Sequence, residues 1–365
     1  MENRVGRIYE AAWLHHACGL SQKVVAGKLR VDKATISRWI QEAARCGIVS
    51  VTVTPPGLKD LETRLQAAFG LKRVRVIPSL PMSLVGPDVT GNRERTDAAG
   101  RSDRQEVLTP SFAEDFQELQ NEELGKAAAA FIGPTLVGGA GVGLGGGRAV
   151  SAFARHLYRD CPRVGLKFFA LAVSSREPFA ICATSITAIC TSLVSSEFRR
   201  PASQAVPAGG AGPPHVEGHA LRLPERGADF AAMAKAADDY YDAAMEQVEL
   251  VVTGIGAIET CWVLDDTERH KLAREMGAVG DVLYDIYGDA GTPIKVKPAA
   301  AVFPFGIKRL QRMVADGKDV VVITTGKAKA TYHALACKGR PFVTGIVTDE
   351  QTARDVLALN DKAGR

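Results

Sequence analysis

The sequence predicts an α/β protein, in which a small helical N-terminal domain precedes a larger domain with a doubly wound, mostly parallel sheet. The first observation is a pair of short helical patterns within residues 21–46, followed by alternating apolar residues. The second is that, from Phe112 onwards, apolar strand-like runs alternate with helical patterns, an order typical of βα units. We therefore predict an N-terminal domain (1–54), a linker helix (55–72) and a large C-terminal domain (73–365).

The composition is that of an ordinary globular protein, with 46% hydrophobic and 24% charged residues among 365. The net charge is +4, and residues 1–54 contain eight Lys/Arg against four Asp/Glu. The whole positive excess therefore lies in the N-terminal domain, as contact with nucleic-acid phosphates requires.

The cysteine content and the hydropathy favour a cytoplasmic protein. The seven cysteines are odd in number and include no C-x-x-C pair, which favours reduced thiols and argues against a zinc site. We expect neither a membrane span nor secretion, because no unbroken run of about 18 apolar residues and no signal-peptide pattern occurs. No motif predicts a metal ion or another cofactor.

Residues 21–46 predict two helices joined by a tight turn. Ser21 and Asp32 are suitable N-caps, because their side-chain oxygens can accept hydrogen bonds from first-turn N–H groups. Arg30 stands in the turn where glycine is usual, and the left-handed conformation costs a non-glycine residue about 1 kcal/mol. A preceding helix with Trp13 in the core and a strand pattern over 48–53, which would form a wing, complete the predicted domain. The residues expected to face the core of this helix-turn-helix are Val24, Val25, Leu29, Val31, Ile36, Trp39 and Ile40.

The outward face of the second helix carries small and hydrogen-bonding side chains with flanking cations, which suit base edges and phosphates in a DNA groove. The alternative is an ordinary helical hairpin with a solvated face. Within the DNA-binding interpretation, we expect Arg38 to read a base and Lys33 to contact phosphates. The residues predicted to contact DNA are Ser21, Gln22, Lys28, Lys33, Ala34, Thr35, Ser37, Arg38 and Gln41.

The linker and the large domain show clear periodic patterns. Leu58, Leu61, Leu65 and Ala68 recur at helical spacing, which predicts either a packed connector or a dimer seam. Residues 78–110 and 200–227 lack such periodicity and are predicted to be mostly loops. The predicted strands are 73–77, 136–142, 164–173, 250–254, 320–324 and 342–347. The predicted helices are 112–131, 149–159, 230–246, 266–276, 306–315, 328–337 and 349–359, the last with a capping box from Thr348 to Gln351.

Four turns at predicted strand ends could bind a ligand, because ligands of such sheets bind beyond the carboxyl ends of the strands. Gly141–Arg148 and Thr253–Gly256 are glycine-rich, which suits an anion but equally suits close packing of strand and helix. Gly277–Asp281 presents a carboxylate that suits sugar hydroxyls or, alternatively, a helix cap. Thr324–Lys329 places two cations at a helix N-terminus, which is unfavourable unless an anion lies between them. Solvated surface lysines are the alternative there.

Several motifs occur in a fixed order along nearly the whole chain. They are LSQKVVAGKLRVDKATISRWIQEAARCGIV, GVGLGGGRAV, VTGIGAI, GAVGDVLYDIYGDAGTPI and VVVITTGKAKATYHALACKGRPFVTGIVTDEQTARDVL. In these motifs the chain resembles the SorC family of bacterial transcriptional regulators, the sugar-binding group of the DeoR class. The resemblance implies a winged helix-turn-helix joined to an effector domain related to glucosamine-6-phosphate deaminase and ribose-5-phosphate isomerase. It also implies tetramers or dimers of dimers, with phosphorylated sugars as the usual effectors.

The resemblance also assigns roles to individual residues. The family's glycine turn falls on 145–148, its sugar-contacting aspartate on Asp281 and its phosphate-contacting lysine on Lys329. The chain departs from the family at Arg148, which follows the glycines where threonine is common, and at 324–326, where Thr-Thr-Gly replaces Ala-Gly-Gly. The complete predicted effector site consists of Gly145, Gly146, Gly147, Arg148, Gly254, Gly256, Asp281, Lys327 and Lys329.

We therefore expect a homo-oligomeric, DNA-binding regulator whose operator binding is modulated by a sugar, polyol or phosphosugar effector. One alternative is a sugar-phosphate isomerase- or deaminase-type enzyme with an accessory DNA-binding module. Such an enzyme needs an acid/base pair, and no obvious motif pairs a His, Glu or Lys with Asp281. Another alternative is a DNA-binding oligomer whose effector cavity is degenerate.

Overall fold

The structure of the protein is a computed structural model. It describes residues 2–46, 48–49, 56–80, 95–96, 102–103, 110–158, 165–174, 181–195, 216–221, 230–261, 264–296, 302–337 and 339–364. The chain forms two compact units, residues 1–54 and residues 55–365.

The described part of the N-terminal unit contains three α-helices, α1 (Glu2–Ala12), α2 (Gln22–Leu29) and α3 (Lys33–Arg45). A π-helical turn, Trp13–Ala17, continues α1. Both helices predicted within residues 21–46 are thus present as α2 and α3. The helices enclose a small apolar core of Ala11, Val25, Ala26 and Ile36, against which Leu14, Leu20, Leu29, Val31, Trp39 and Ile40 pack.

The turn between α2 and α3 has the predicted local structure. The Ser21 hydroxyl accepts a hydrogen bond from the backbone N–H of Val24 at 3.4 Å, and the Asp32 carboxylate accepts one from Thr35 at 2.8 Å. Arg30 ends α2 with φ 52° and ψ 46°, which is the left-handed conformation that favours the glycine usual at this position. The left-handed Arg30 and the Asp32 cap therefore define the connection, while Ser21 caps the opposite end of α2.

Two predictions about the core of this unit are wrong. Trp13 is 51% exposed, because it shares a solvent-facing stripe with Val5 and Tyr9 at a spacing of four residues. Val24 is 46% exposed, since its neighbour Val25 takes the inward position on α2. Of the strand predicted over 48–53, the structure describes Ile48 and Val49, which form a bend; Gly47 and residues 50–53 lie outside the described residues.

The second unit alternates strands with helices. Its helices are α4 (Lys59–Phe69), α5 (Pro110–Ile132), α6 (Arg148–Leu157), α7 (Ala183–Val194), α8 (Phe230–Gln247), α9 (Asp266–Glu275), α10 (Ile307–Ala315), α11 (Ala328–Leu335) and α12 (Glu350–Ala363). Its strands are β1 (Arg73–Ile77), β2 (Arg95–Thr96), β3 (Ser102–Asp103), β4 (Gly141–Leu144), β5 (Lys167–Ala170), β6 (Ala172–Ser174), β7 (Glu217–His219), β8 (Val248–Gly254), β9 (Gly256–Ala257), β10 (Gly280–Val282), β11 (Asp285–Tyr287), β12 (Val302–Pro304), β13 (Asp319–Thr324) and β14 (Gly345–Asp349).

Among the residues that the structure describes, the central sheet has seven strands in the order β1-β14-β13-β8-β4-β5-β7, and every neighbouring pair is parallel. The predicted α/β class with a mostly parallel sheet is therefore confirmed. The central strands β8 and β13 are almost entirely buried, which explains their near-continuous runs of Val and Ile. From β4 the chain adds β5 and β7 on one side of this strand. It then returns and adds β8 on the other side of β4. The strand order therefore reverses between β4 and β8.

Three local predictions in this unit need correction. The strand predicted over 136–142 begins only at Gly141, because Gly139 turns the chain with φ 84°. Glu217–His219, predicted as loop, pairs with β5. The predicted capping box at Thr348 is wrong: Thr348 is part of β14, and Asp349 caps α12 by accepting from the N–H of Thr352 at 3.0 Å. Most of the other predicted loop residues, within 78–110 and 200–227, lie outside the described residues.

The predicted linker helix, α4, packs within the second unit. Leu61 and Leu65 are 3% and 0% exposed and belong to the core of this unit, whereas Ala68 is exposed. The burial of Leu61 and Leu65 therefore favours the packed connector over the dimer seam for this face of α4. Among the helices that the structure describes, none is long and apolar enough to cross a membrane.

Candidate functional site

The second unit contains a cavity of about 700 Å³ at the carboxyl ends of β4, β8 and β13. Its walls are the loops that follow these strands, the β10–β11 hairpin and part of α5. The cavity lies where the strand order reverses, which is the usual ligand position in open α/β sheets. Its volume falls within the range of small-molecule sites, roughly 300–1,000 Å³.

Most of the residues predicted to bind an effector line this cavity. The lining ones are Gly146, Gly147, Arg148, Gly254, Gly256, Asp281 and Lys327. Gly145 is buried behind the wall, where a Cβ would collide with the Thr253 side chain. Lys329 is exposed on the first turn of α11 and is not among the lining residues, so the structure does not bring it to Asp281. Lys327 takes that position instead, because it precedes the helix whereas Lys329 lies two residues further round it.

Lys327 is held inside the cavity by a backbone contact. Its Nζ donates a hydrogen bond of 2.7 Å to the backbone oxygen of Ile255, in the loop that follows β8. Burial lowers the pKa of the Lys327 ammonium group, and the Arg148 guanidinium lowers it further, while attraction to the Asp281 carboxylate opposes both. The cavity therefore contains cationic charge that is only partly compensated by the protein.

Asp281 lies on β10, opposite Gly256 of β9. A Cβ at Gly256 would collide with the Asp281 carboxylate, so glycine is required there for the side chain to lie against the strand. Burial raises the pKa of the Asp281 carboxyl group, whereas Lys327 and a hydrogen bond from the Cys261 thiol lower it. The predicted sharp turn before Asp281 occurs at Gly277, which has φ 64°.

Two helices begin at the cavity without a side-chain cap. The N-cap of α6 is Gly147, at φ 116°, and the N-cap of α11 is Lys327; neither accepts a first-turn N–H through its side chain. The turn before α11 is fixed by the N–H of Gly326, which donates to Thr352 Oγ1 at 2.8 Å. Uncapped N–H groups and the positive end of the helix dipole favour a bound anion. The exposed Arg148 begins α6 and adds a further cation.

Several cavity residues were not predicted. Leu283 and Tyr284 form the two-residue turn between β10 and β11, with φ 48° and 66°, and both line the cavity. Left-handed non-glycine residues are found where surrounding structure holds them, often at ligand sites. The turn carries no Gly, Asn or Asp that could have revealed it. Gln117 and Asn121 line the cavity from α5, far away in the sequence, and no motif links them to the other walls.

The predicted DNA-contacting residues of the N-terminal unit are all at least partly accessible. Ser21, Lys28, Lys33, Ala34, Arg38 and Gln41 are exposed, and Gln22, Thr35 and Ser37 are half-buried. A groove along α3 brings together Thr35, Arg38 and Gln41, and its other lining residues are Arg4, Trp39, Glu42 and Arg45. The Thr35 hydroxyl donates to Asp32 at 2.8 Å, which fixes its orientation at the start of the helix.

Comparison with known proteins relates the chain to bacterial regulators. No family model matches it. It is 25% identical over 373 residues to the transcriptional regulator LsrR of Enterobacter sp. strain 638, covering 98% of this chain and 94% of the relative. Its fold is similar to the full-length sorbitol operon regulator SorC of Klebsiella pneumoniae, with a TM-score of 0.53 and 16% identity over 97% of this chain and 99% of that one.

A second solved structure matches most of the chain. It is a Vibrio fischeri domain described as a sugar-binding domain of a transcriptional repressor, with a TM-score of 0.55 and 17% identity over 83% of this chain and 99% of that one. The resemblance found in the motifs is confirmed by these comparisons: the chain is a homologue of transcriptional regulators named LsrR and has the fold of the SorC-family regulators.

Proposed function

We propose that the protein is a transcriptional regulator whose operator binding is modulated by a small anionic, hydroxyl-bearing effector, such as a phosphosugar or a related sugar or polyol. The observation that carries this proposal is the cavity at the β4–β8 switch point. It combines the uncapped start of α6, the buried ammonium group of Lys327 and the carboxylate of Asp281. The N-terminal unit, with its exposed α3 face, is the proposed DNA-binding part.

The cationic side of the cavity supports an anionic effector group. The Lys327 side chain is half-buried, burial lowers the pKa of its ammonium group, and Arg148 stands close enough to lower that pKa further. Two like charges that converge near uncapped helix N-termini repel each other unless an anion compensates them. A phosphate or carboxylate group between Arg148, Lys327 and the first turn of α6 would remove this repulsion and accept hydrogen bonds from the N–H groups.

Other groups that line the cavity support hydroxyl groups on the same effector. Asp281 offers carboxylate oxygens that can accept hydrogen bonds from sugar hydroxyls. Gln117 and Asn121 add amide groups on the α5 wall. The cavity therefore offers anion-binding and hydroxyl-binding groups within one volume, which together complement a small phosphorylated polyol.

The comparisons support the regulatory part of the proposal. The relatives at about a quarter identity are named transcriptional regulators, and one structural neighbour is described as sugar-binding. An isolated DNA-binding unit with one reading helix binds weakly, so regulators of this kind act on paired half-sites through a two-fold assembly. We accordingly propose a homo-oligomer, a tetramer or a dimer of dimers, in which two N-terminal units contact one operator.

One observation favours a second candidate, an enzyme acting on sugar phosphates. Lys327 lowers the pKa of Asp281, and burial lowers the pKa of Lys327 itself. The cavity therefore contains a charged partner for Asp281 that the motifs did not reveal. The regulator names of the relatives weigh against catalysis. Incubation of purified protein with a phosphosugar panel, with Asp281→Ala as the control, separates the two: substrate conversion that disappears in the variant would establish the enzyme.

The experiment that tests the proposed function is an effector screen read out on DNA. An operator is first selected from random duplexes by the full-length protein, and a panel of phosphosugars, sugars and polyols is then added to the complex. We expect one class of compound to change operator affinity in the wild type. The response should disappear in Asp281→Ala, with affinity in the absence of effector unchanged, and persist in Asp316→Asn, an exposed aspartate outside the cavity. A response that survives in both Asp281→Ala and Lys327→Ala would place the effector elsewhere.

A further inference from the structure

The groove along α3 contains two arginines that lie outside the predicted DNA-reading set. It is lined by Thr35, Arg38 and Gln41, which belong to that set, and by Arg4 and Arg45, which do not. Arg4 is contributed by α1, and Arg45 is the last residue of α3. One continuous surface thus joins the proposed reading residues to two further guanidinium groups.

Arg4 is oriented along this groove by an ion pair. Its Nη2 donates to both carboxylate oxygens of Glu42, at 2.9 and 3.3 Å. These contacts occupy a single terminal nitrogen, and a guanidinium has five N–H donors in a fixed fork. The Arg4 side chain is 68% exposed in spite of the pair. The remaining donors are therefore available to an anion at the groove.

The ion pair alone gives little reason for an arginine at this position. Exposed pairs of this type contribute only about 0.2–1 kcal/mol to stability. Arg45 lies on the same groove, and it is exposed at the end of α3. Three arginines against one glutamate leave the groove positively charged, as a surface that follows a phosphate backbone requires.

The length of α3 determines what Arg45 can reach. Arg45 lies ten positions after Thr35 along α3, which corresponds to about 15 Å along a helix. The major groove of B-DNA is only about 12 Å wide. If the first turns of α3 enter the groove, Arg45 comes to lie at its wall, where phosphates rather than base edges are within reach.

We infer that Arg4 and Arg45 bind DNA phosphates at the edge of the major groove occupied by α3, and that they determine the register of the helix rather than the sequence it reads. This inference rests on the proposed DNA-binding function of α3. It extends the DNA interface from α2 and the start of α3 to the N-terminal end of α1. The ligand class is the phosphodiester backbone of duplex DNA, bound irrespective of sequence.

The test is the salt dependence of binding to a random-sequence duplex, measured by fluorescence anisotropy with the full-length protein. Each neutralised phosphate contributes about 0.9 to the slope of log Kobs against log salt concentration. Arg4→Gln and Arg45→Gln should therefore each flatten the slope by about 0.9, and the double variant by roughly twice as much. Arg45→Lys should keep the wild-type slope, because a lysine also neutralises a phosphate.

Two controls make the outcome unambiguous. Lys362→Gln removes one exposed cation from the second unit and should leave the slope unchanged, which excludes a general effect of net charge. Thermal melting of Arg4→Gln checks that the N-terminal unit stays folded when the ion pair between Arg4 and Glu42 is lost. Arg45→Gln tests the inference with this ion pair intact. A wild-type slope in both glutamine variants, with binding intact, would overturn the inference alone. Absence of salt-dependent binding in the wild type would instead overturn the proposed DNA-binding function.

Discussion

Lys327 donates a hydrogen bond of 2.7 Å from Nζ to the backbone oxygen of Ile255, and this contact ties the start of α11 to the loop after β8. The ammonium group is thereby held in a cavity that Asp281 also lines. Lys329, two residues further along, is exposed on α11. Two lysines from one short motif thus have different surroundings, and only the first is positioned to bind a cavity ligand.

The first prediction compares these two lysines. Lys327→Met should weaken the binding of an anionic effector by about ten- to a hundredfold, because a charge-assisted hydrogen bond contributes roughly 1.5–3 kcal/mol. Lys329→Met should change affinity little. The measurement is the ligand-dependent increase in melting temperature with a phosphosugar panel. If the increase disappears in Lys329→Met and remains in Lys327→Met, our assignment of the two residues is reversed.

The second prediction concerns sequence reading by α3. Arg38→Ala should lower affinity for the selected operator by about 1–3 kcal/mol, with a smaller loss on random duplex, if its guanidinium reads a guanine. Lys33→Ala should weaken both duplexes alike and flatten the salt dependence, since a phosphate contact carries no sequence information. Competition binding with the two duplexes measures the difference. An equal loss on both duplexes for Arg38→Ala would refute the base-reading role.

Much of the fold could be predicted because the responsible signals are local. Apolar runs such as Val320–Thr324 specify buried parallel strands by composition alone. Ser21 and Asp32 cap helices through atoms of their own first turns, so their roles follow from a few neighbouring residues. Arg30 stands where glycine is usual in this turn, and its φ of 52° shows that arginine adopts the same left-handed conformation.

The remaining features depend on packing between distant segments. Thr348 resembled a cap from its neighbours, but pairing of β14 makes it a strand residue whose hydroxyl donates to Thr324 at 2.8 Å. Trp13 was predicted to lie in the core, yet it falls on the solvent-facing stripe that also contains Val5 and Tyr9. Lys327 and Lys329 could not be distinguished by spacing, because the start of α11 determines which one faces the cavity.

The third prediction tests the role of α4 as a packed connector. Leu65→Ala should lower the free energy of unfolding by about 2–5 kcal/mol, because Leu65 is fully buried in the core of the second unit. Ala68→Ser, on the exposed side of the same helix, should have little effect on stability. Urea denaturation gives both values. Light scattering at a concentration where the variants are folded should show the wild-type assembly state. An unchanged stability accompanied by dissociation would show that the face of α4 is an interface after all.

The last prediction is a pH dependence of stability due to Asp281. Burial raises the pKa of this carboxyl group in the folded protein, so the folded state binds the proton more tightly than the unfolded state. Stability from this group is therefore fully present below the unfolded pKa, about 3.9, and is lost as the pH rises through the higher folded pKa. Asp281→Asn removes the titration, so the stability of the variant relative to wild type should increase across that interval and then level off. Urea denaturation at a series of pH values measures the difference, with Asp316→Asn as the exposed control. A difference between Asp281→Asn and wild type that is constant with pH would show that the carboxyl group titrates alike in both states and that its burial has no energetic consequence.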